Sequence, residues 1–273
     1  MNSDSAGIQV ALLGAGGINQ LVAQAVQAGD VPGVEVVAVA GSTAGSASAA
    51  QLAGELGAQA VAPEDLATTG ASWVLEAAGG EAVRQHVPRL WQAGINTIIM
   101  SIGAMVDETV EAAWKQARHD GVKVVLPSGG IAGLDGVRAL RAGGGLTGVT
   151  ITNTKHPDGL RGAPYLERNS IELPDGSAFT VFEGSAREAI AAFPQNVNVA
   201  IALSLAGAGP DATKVVVRSD PAATQTFHRI EAEGPAGRLR VEISSNPSPA
   251  SPRTSVMAGA SATAALREVA GAG

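Results

Sequence analysis

The stretch IQVALLGAGGIN, residues 8–19, decides the fold. An apolar strand runs from Ile8 into a glycine turn, and INQLVAQAVQAG (18–29) follows with helical spacing. Gly14 and Gly16 stand in G-x-G spacing between strand and helix. The first glycine permits the tight turn, and the second lets the backbone approach a pyrophosphate at the helix N-terminus. In this context Gly14, Ala15, Gly16, Gly17 and Ile18 are the expected phosphate loop of a dinucleotide site. Asn19 replaces the third glycine of that fingerprint. A glycine there allows close helix–strand packing, so the helix is expected to sit slightly farther out.

The same alternation continues outward. VEVVAVAG (34–41), SWVLEAAGG (72–80), NTIIMSIGA (96–104) and VKVVLPSGG (122–130) read as further apolar strands. Between them SASAAQLAGELG (46–57), EAVRQHVPRLWQAG (81–94, with Pro88 near a bend) and DETVEAAWKQARHDG (107–121) read as helices. The last has acids at its start and bases at its end, which suits the helix dipole. Five strand–helix units predict an α/β fold, a Rossmann doubly wound parallel sheet, over residues 1–133. After GLDGVRALRAGG (133–144) the pattern changes. GVTITNTK (148–155), SAFTVFEG (177–184), TKVVVRSD (213–220), FHRIEAEG (227–234) and RLRVEIS (238–244) alternate in polarity, with helical stretches near 186–192 and 198–206. They predict an α+β domain with a mostly antiparallel sheet over 134–252, one face covered by helices. SSNPSPASPRTS (244–255) is a Pro/Ser-rich connector. The Ala-rich helix within 253–273 is expected to pack back on the first domain or on a partner subunit. The sheet face left over makes a homodimer the expected assembly.

Composition narrows the function classes. The chain has 273 residues and is 45% hydrophobic but only 3% aromatic, so its core is built from Ala, Val, Leu and Ile. A net charge of −7 without a basic block argues against nucleic acid and membrane surfaces as partners. There is no cysteine, which excludes disulfides, thiolate chemistry and Cys-based zinc sites. No acid cluster or paired histidines stand at ligand spacing, so no metal is expected. MNSDSAG lacks a basic n-region, and no apolar run is long enough to span a bilayer; a cytoplasmic protein is the expectation.

The cofactor choice stays open. The second strand ends in Gly41, Ser42 and Thr43, with neither the acid that selects NAD nor an Arg for a 2′-phosphate. Ser42 can hydrogen-bond either form, so NAD or NADP is expected. Ala78 and Gly79 after the third strand, and Ser101, Gly103 and Ala104 after the fourth, are small enough to leave room for a flat ring and ribose.

One histidine breaks the pattern. In TQTFHRIEAEG (224–234), His228, Ile230 and Ala232 share one strand face, opposite Phe227, Arg229, Glu231 and Glu233. The alternation alone makes His228 a core residue with one hydrogen bond.

FEGSAREAIAAFPQNVNVAIALSLAG (182–207), TKVVVRSDPAATQTFHRIEAEGPAGRLRVEI (213–243) and NPSPASPRTS (246–255) together resemble the L-aspartate dehydrogenase family. LEAAGGEAVRQHV (75–87), SIGAMVD (101–107) and LPSGGIAGLDG (126–136) extend the resemblance over nearly the whole chain. The order and spacing of Asn198, His228 and the final Pro252, Thr254 and Ser255 are kept. The resemblance implies NAD(P)-dependent oxidative deamination of L-aspartate to iminosuccinate, hydrolysed to oxaloacetate, and the reverse amination. It implies that His228 is catalytic and that Asn198 touches the cofactor, as does the position held by Gly130, where the family has Ala. Asn19, Gly80 (often His in relatives) and Gln195 (often basic) depart from the family. They leave open a relative acting on another small amino or oxo acid, homoserine dehydrogenase-like, or a non-catalytic dinucleotide sensor.

Amino-acid deamination also needs a group titrating near neutrality and fixed partners for carboxylates. His228 is the best candidate for the first. His86 and His119 fall in helices beside charged neighbours, and His156 is at a strand end. For the substrate, a dicarboxylic amino or oxo acid with ammonia, Lys155 is the leading anchor, with Asn198 and His228 beside it. Arg187 and Arg253 are further anchor candidates.

Overall fold

The computed structural model describes residues 7–174, 176–194, 197–248 and 251–271, with the backbone alone for 251–254. The chain divides into two compact units, residues 1–127 with 258–273, and residues 128–257.

The first unit carries β1 (Ile8–Leu13), α1 (Gly17–Gln27), β2 (Val34–Ala40), α2 (Ala47–Leu56), β3 (Gln59–Val61), β4 (Trp73–Glu76), α3 (Gly80–Gln92), β5 (Asn96–Ile99), α4 (Glu108–His119) and β6 (Val124–Val125). Every pairing in its sheet is parallel, in the order β3-β2-β1-β4-β5-β6. This is the doubly wound order, and it reverses between β1 and β4, where such sheets open a crevice at their carboxyl ends. β4 is buried along its whole length, as a central parallel strand must be. β3 is one strand more than the five units expected. It is three residues long and mostly exposed at the sheet edge, too short to show a pattern.

The second unit carries α5 (Leu134–Ala142), β7 (Gly148–Lys155), α6 (Pro164–Arg168), β8 (Phe179–Ser185), α7 (Ala186–Ala192), α8 (Asn198–Ala206), β9 (Lys214–Ser219), β10 (Thr226–Gly234), β11 (Gly237–Ser245), β12 (Pro247–Ser248) and β13 (Ser251–Ser255). Its main sheet runs β11-β10-β7-β9-β8, and all pairs but β7–β9 are antiparallel. β10 and β11 close as a hairpin, with Gly234 opposite Gly237. One sheet face buries Ile151, Val215 and Ile230; the other shows ion pairs such as Arg229–Glu242 and Arg238–Glu233.

The last helix, α9 (Val256–Val269), belongs to the first unit from Ala258 onward. Its Ala262, Ala265 and Leu266 join Val10, Leu12, Val22 and Leu75 in one core cluster. Gly259 is where it meets α1: a Cβ there would collide with the Leu21 side chain. The first crossing between units falls at 127/128 and not 133/134, because the 130–133 loop packs on the second sheet. Gly130 lies against His228 and Ser255, and Gly133 against Val241. The second falls at 257/258, since Ser255 pairs with Pro247.

Candidate active site

The phosphate loop is shaped by two glycines doing different things. Gly14 has φ +101°, and a Cβ there would stand 2.8–2.9 Å from the Ala77 carbonyl and Ala78 Cα. Both conformation and space therefore exclude a side chain. Gly16 is exposed, and a Cβ on it would meet nothing within 4 Å. It is the N-cap of α1 without any side-chain cap, so the first amides of the helix carry no intrahelical or capping bond. An open, uncapped helix start after a glycine turn fits a dinucleotide pyrophosphate. Ala15 is buried, with Gly17 and Ile18 half-buried beside it.

Asn19 has a definite role in place of the third glycine. It is wholly buried, and its Nδ2 donates to the carbonyls of Leu13 (3.1 Å) and Gly14 (2.8 Å). The side chain braces the turn from below while tying helix to strand. Gly16→Val is expected to leave the denaturation midpoint unchanged, because the protein itself has room for the branch. It should nevertheless weaken NAD(H) binding at least about tenfold in calorimetry, since the branch takes the phosphate position. Unaltered affinity would count against this site.

The turns after β4 and β5 are organised by a residue that sequence reading missed. Glu76 is fully buried at the end of β4. Its Oε1 accepts from Ala78 N (2.8 Å), Gly79 N (3.0 Å) and Ser101 Oγ (2.8 Å), and its Oε2 accepts from Ser101 N (3.0 Å). Burial raises its pKa, while all four donors oppose that rise. Ala78 and Gly79 therefore spend their amides inward, and only their Cα and carbonyl atoms remain for a ligand. Ser101 is likewise a structural donor and 7% exposed. Gly103 and Ala104 are buried in the following 3₁₀ turn, and Ser42 is exposed beyond β2. The signal for Glu76 was present: an acid ending an apolar strand, directly before AAGG.

In the second unit the sheet registers stack side chains in rows. Asn153 pairs with His228 and with Val217, and His228 with Ile243. The next row toward the strand ends holds Lys155 beside Ser219, and Thr226 beside Ser245. The apolar face thus turns polar over its last two rows. His228 is 4% exposed, and its Nδ1 lies 2.6 Å from Asn153 Oδ1. Gly130 is buried against it: a Cβ there would stand 3.5 Å from His228 Nε2 and 3.4 Å from Ser255 Oγ. Asn198 opens α8 and is half-buried; the next residue, Val199, packs on Gly129. Asn153 Nδ2, Ser219 Oγ and Ser245 Oγ are buried donors without a partner among the described residues. A cavity of about 280 Å³ reaches Lys155 and Thr226, with Gln225 and Pro247 on its wall.

Charge follows from burial here. The His228 imidazole is pushed down to about 3, first by desolvation and then by the Lys155 ammonium. Burial lowers Lys155 to about 8. The near-neutral titration expected of His228 therefore does not arise from the chain's own groups. The ring is neutral at physiological pH and able to accept a proton, and a substrate carboxylate beside it would raise its basicity.

His156 lines the same cavity as Lys155 but is exposed, its Nδ1 accepting from Asp158 N. Arg187 is engaged with Asp211 at 2.6 and 3.0 Å. His119 is exposed and His86 half-buried on their helices. The Arg253 side chain, with those of Pro252 and Thr254, and residue Gln195 lie outside the described residues. Among the described residues no group of three His, Asp or Glu is placed to hold a metal, and no helix is long and apolar enough to cross a membrane.

Comparison with known proteins addresses both units. Residues 135–269 match the family model for the aspartate dehydrogenase C-terminal region, and residues 14–127 match the homoserine dehydrogenase NAD-binding domain. An L-aspartate dehydrogenase of Methanosarcina barkeri is 42% identical over 199 residues, 72% of this chain and 73% of that one. One from Methanosarcina acetivorans is 36% identical over 269 residues, covering 96% and 97%. Among solved structures, the aspartate dehydrogenase of Thermotoga maritima aligns with a TM-score of 0.70 at 25% identity, covering 96% of each chain.

Proposed function

Because this chain belongs to the aspartate dehydrogenase family, we propose that it oxidatively deaminates L-aspartate. The reaction takes aspartate, NAD(P)⁺ and water to oxaloacetate, ammonia, NAD(P)H and a proton, and runs in reverse as an amination. The observation that carries this reading is the buried His228, neutral and held at Nδ1, with Nε2 beside the Gly130 backbone and Ser255.

Gly14 to Ile18 would hold the dinucleotide, with its pyrophosphate at the start of α1 and Asn198 and Gly130 as further contacts. A bound nicotinamide would supply the acceptor for the hydride that leaves the substrate Cα. His228 Nε2 accepts the proton that the substrate ammonium or the attacking water must lose, and returns one in the amination direction. Lys155, cationic below about pH 8, pairs with a substrate carboxylate. Thr226 lines the same cavity, whose size is at the small end for ligand sites. The homoserine dehydrogenase model that matches is that of the NAD-binding domain, over residues 14–127. NADH oxidation with oxaloacetate and ammonia tests the assignment. Turnover with another 2-oxo acid, and none with oxaloacetate, would move the substrate; cofactor binding without turnover would make the chain a sensor.

Both cofactors should serve. β2 ends with Ser42 exposed and no acid or Arg beside it. The expected preference for NAD over NADP is below about a hundredfold, about 2.7 kcal/mol, as read from kcat/KM with each. A homodimer formed through the charged open face of the second sheet fits its alternating Arg–Glu pairs, and sedimentation would read it. A cytoplasmic location fits a cysteine-free chain acting on soluble metabolites.

A further inference from the structure

Asn153 is the hydrogen-bond partner of His228. It is 1% exposed, and its Oδ1 lies 2.6 Å from His228 Nδ1. The β7–β10 register sets the two directly opposite each other, so sheet backbone fixes the contact. An amide oxygen at that distance accepts the Nδ1 proton, which leaves the lone pair on Nε2. Nε2 is the atom beside Gly130 and Ser255.

We propose that Asn153 is a positioning residue for the reaction: it holds His228 in the tautomer whose Nε2 accepts a proton. This rests on the reading of His228 given above. An aspartate at 153 would hold the same tautomer but stabilise the imidazolium, and so raise the pH below which the neutral base is lost. Among the described residues, the other groups around the ring carry no negative charge. β10 offers Thr226 and Ile230, β11 Ile243 and Ser245, β9 Val217 and Ser219, and β13 Ser255. α8 carries no charged residue, and Asp135, Arg138 and Arg141 of α5 are exposed. Among the described residues Lys155 is the charged neighbour, and it also disfavours the imidazolium.

Long-range ¹H–¹⁵N correlation spectra of the four histidines read the tautomer directly, with His228 assigned from its loss in His228→Asn. The full chain should show His228 protonated at Nδ1. In Asn153→Asp the acidic limb of kcat/KM should move up by about 1–3 pH units, because the base must be neutral to act and its pKa rises. In Asn153→Leu, kcat should fall roughly 10–100-fold, the range seen when an outer hydrogen-bond partner is lost, with NADH affinity kept. An Nε2-protonated His228 in the full chain overturns the proposal, as does an unmoved limb in Asn153→Asp. Should Asn153→Leu fail to fold, those two measurements decide alone. Full turnover in His228→Ala with the expected tautomer would instead sink the catalytic reading and leave the hold of Asn153 on the ring standing.

Discussion

His228→Ala should lower turnover by about 10²–10⁴-fold, the usual range for a general acid–base group, while NADH still binds. The side chain is buried, so some stability is lost too, and the two effects need separate readouts. Activity per folded molecule answers the first, and the denaturation midpoint the second. Turnover kept with stability lost would return His228 to the core. The acid side gives an independent check. The folded pKa of about 3 lies below the ordinary 6.5, so the unfolded chain takes up a proton that the folded chain refuses. The stability tied to His228 is full above pH 6.5 and drains away as pH falls toward 3. His228→Asn should flatten the stability profile in that window.

Glu76→Ala should be the most damaging change to the first unit, costing about 3–5 kcal/mol. It removes an acceptor from two donors of buried Ser101 and from the half-buried amides of Ala78 and Gly79, of which Gly79 N keeps Ser101 Oγ at 3.1 Å; each donor left unsatisfied costs ~1–3 kcal/mol, with relaxation recovering part. The turns at Ala78–Gly79 and Ser101 should loosen with it, and cofactor affinity should fall even where the chain remains folded. Glu76→Gln retains one acceptor oxygen but turns an NH₂ toward these N–H and O–H donors, so it should fall between. A loss under 1 kcal/mol in urea denaturation of Glu76→Ala would show that the turns stand without it.

The parallel sheet was legible because its strands are apolar runs ending in glycine turns, and the second sheet because polarity alternates along its five strands. What escaped was short or cooperative. β3 is too brief for a period to register. Asn153 sits in GVTITNTK, where it looks like its threonine neighbours until the strand order brings β10 alongside. The sequence places His228 on the apolar face and predicts titration near neutrality once substrate carboxylates lie beside it; the chain's own groups hold it at about 3. Its basicity depends on how deeply the strand is covered and on Lys155, from a strand about seventy positions away in the chain. Asn19 was read as a missing glycine; only the turn's geometry shows the amide reaching two carbonyls.

The membership of α9 in the first core has a consequence for how the protein is made. Residues 8–125 supply the six parallel strands, yet Ala262, Ala265 and Leu266 complete the cluster around Val22 and Leu75. During synthesis these residues emerge only after the entire second unit has been translated. At 5–20 residues per second that wait is roughly 7–26 s, long against the closing of a local strand–helix unit. Through that interval the α1 side of the nascent sheet shows apolar surface to the cell, a natural place for a chaperone to bind. A ribosome stalled before residue 258 should therefore present an amino-terminal unit that proteases cut readily, although every strand of its sheet has already been translated.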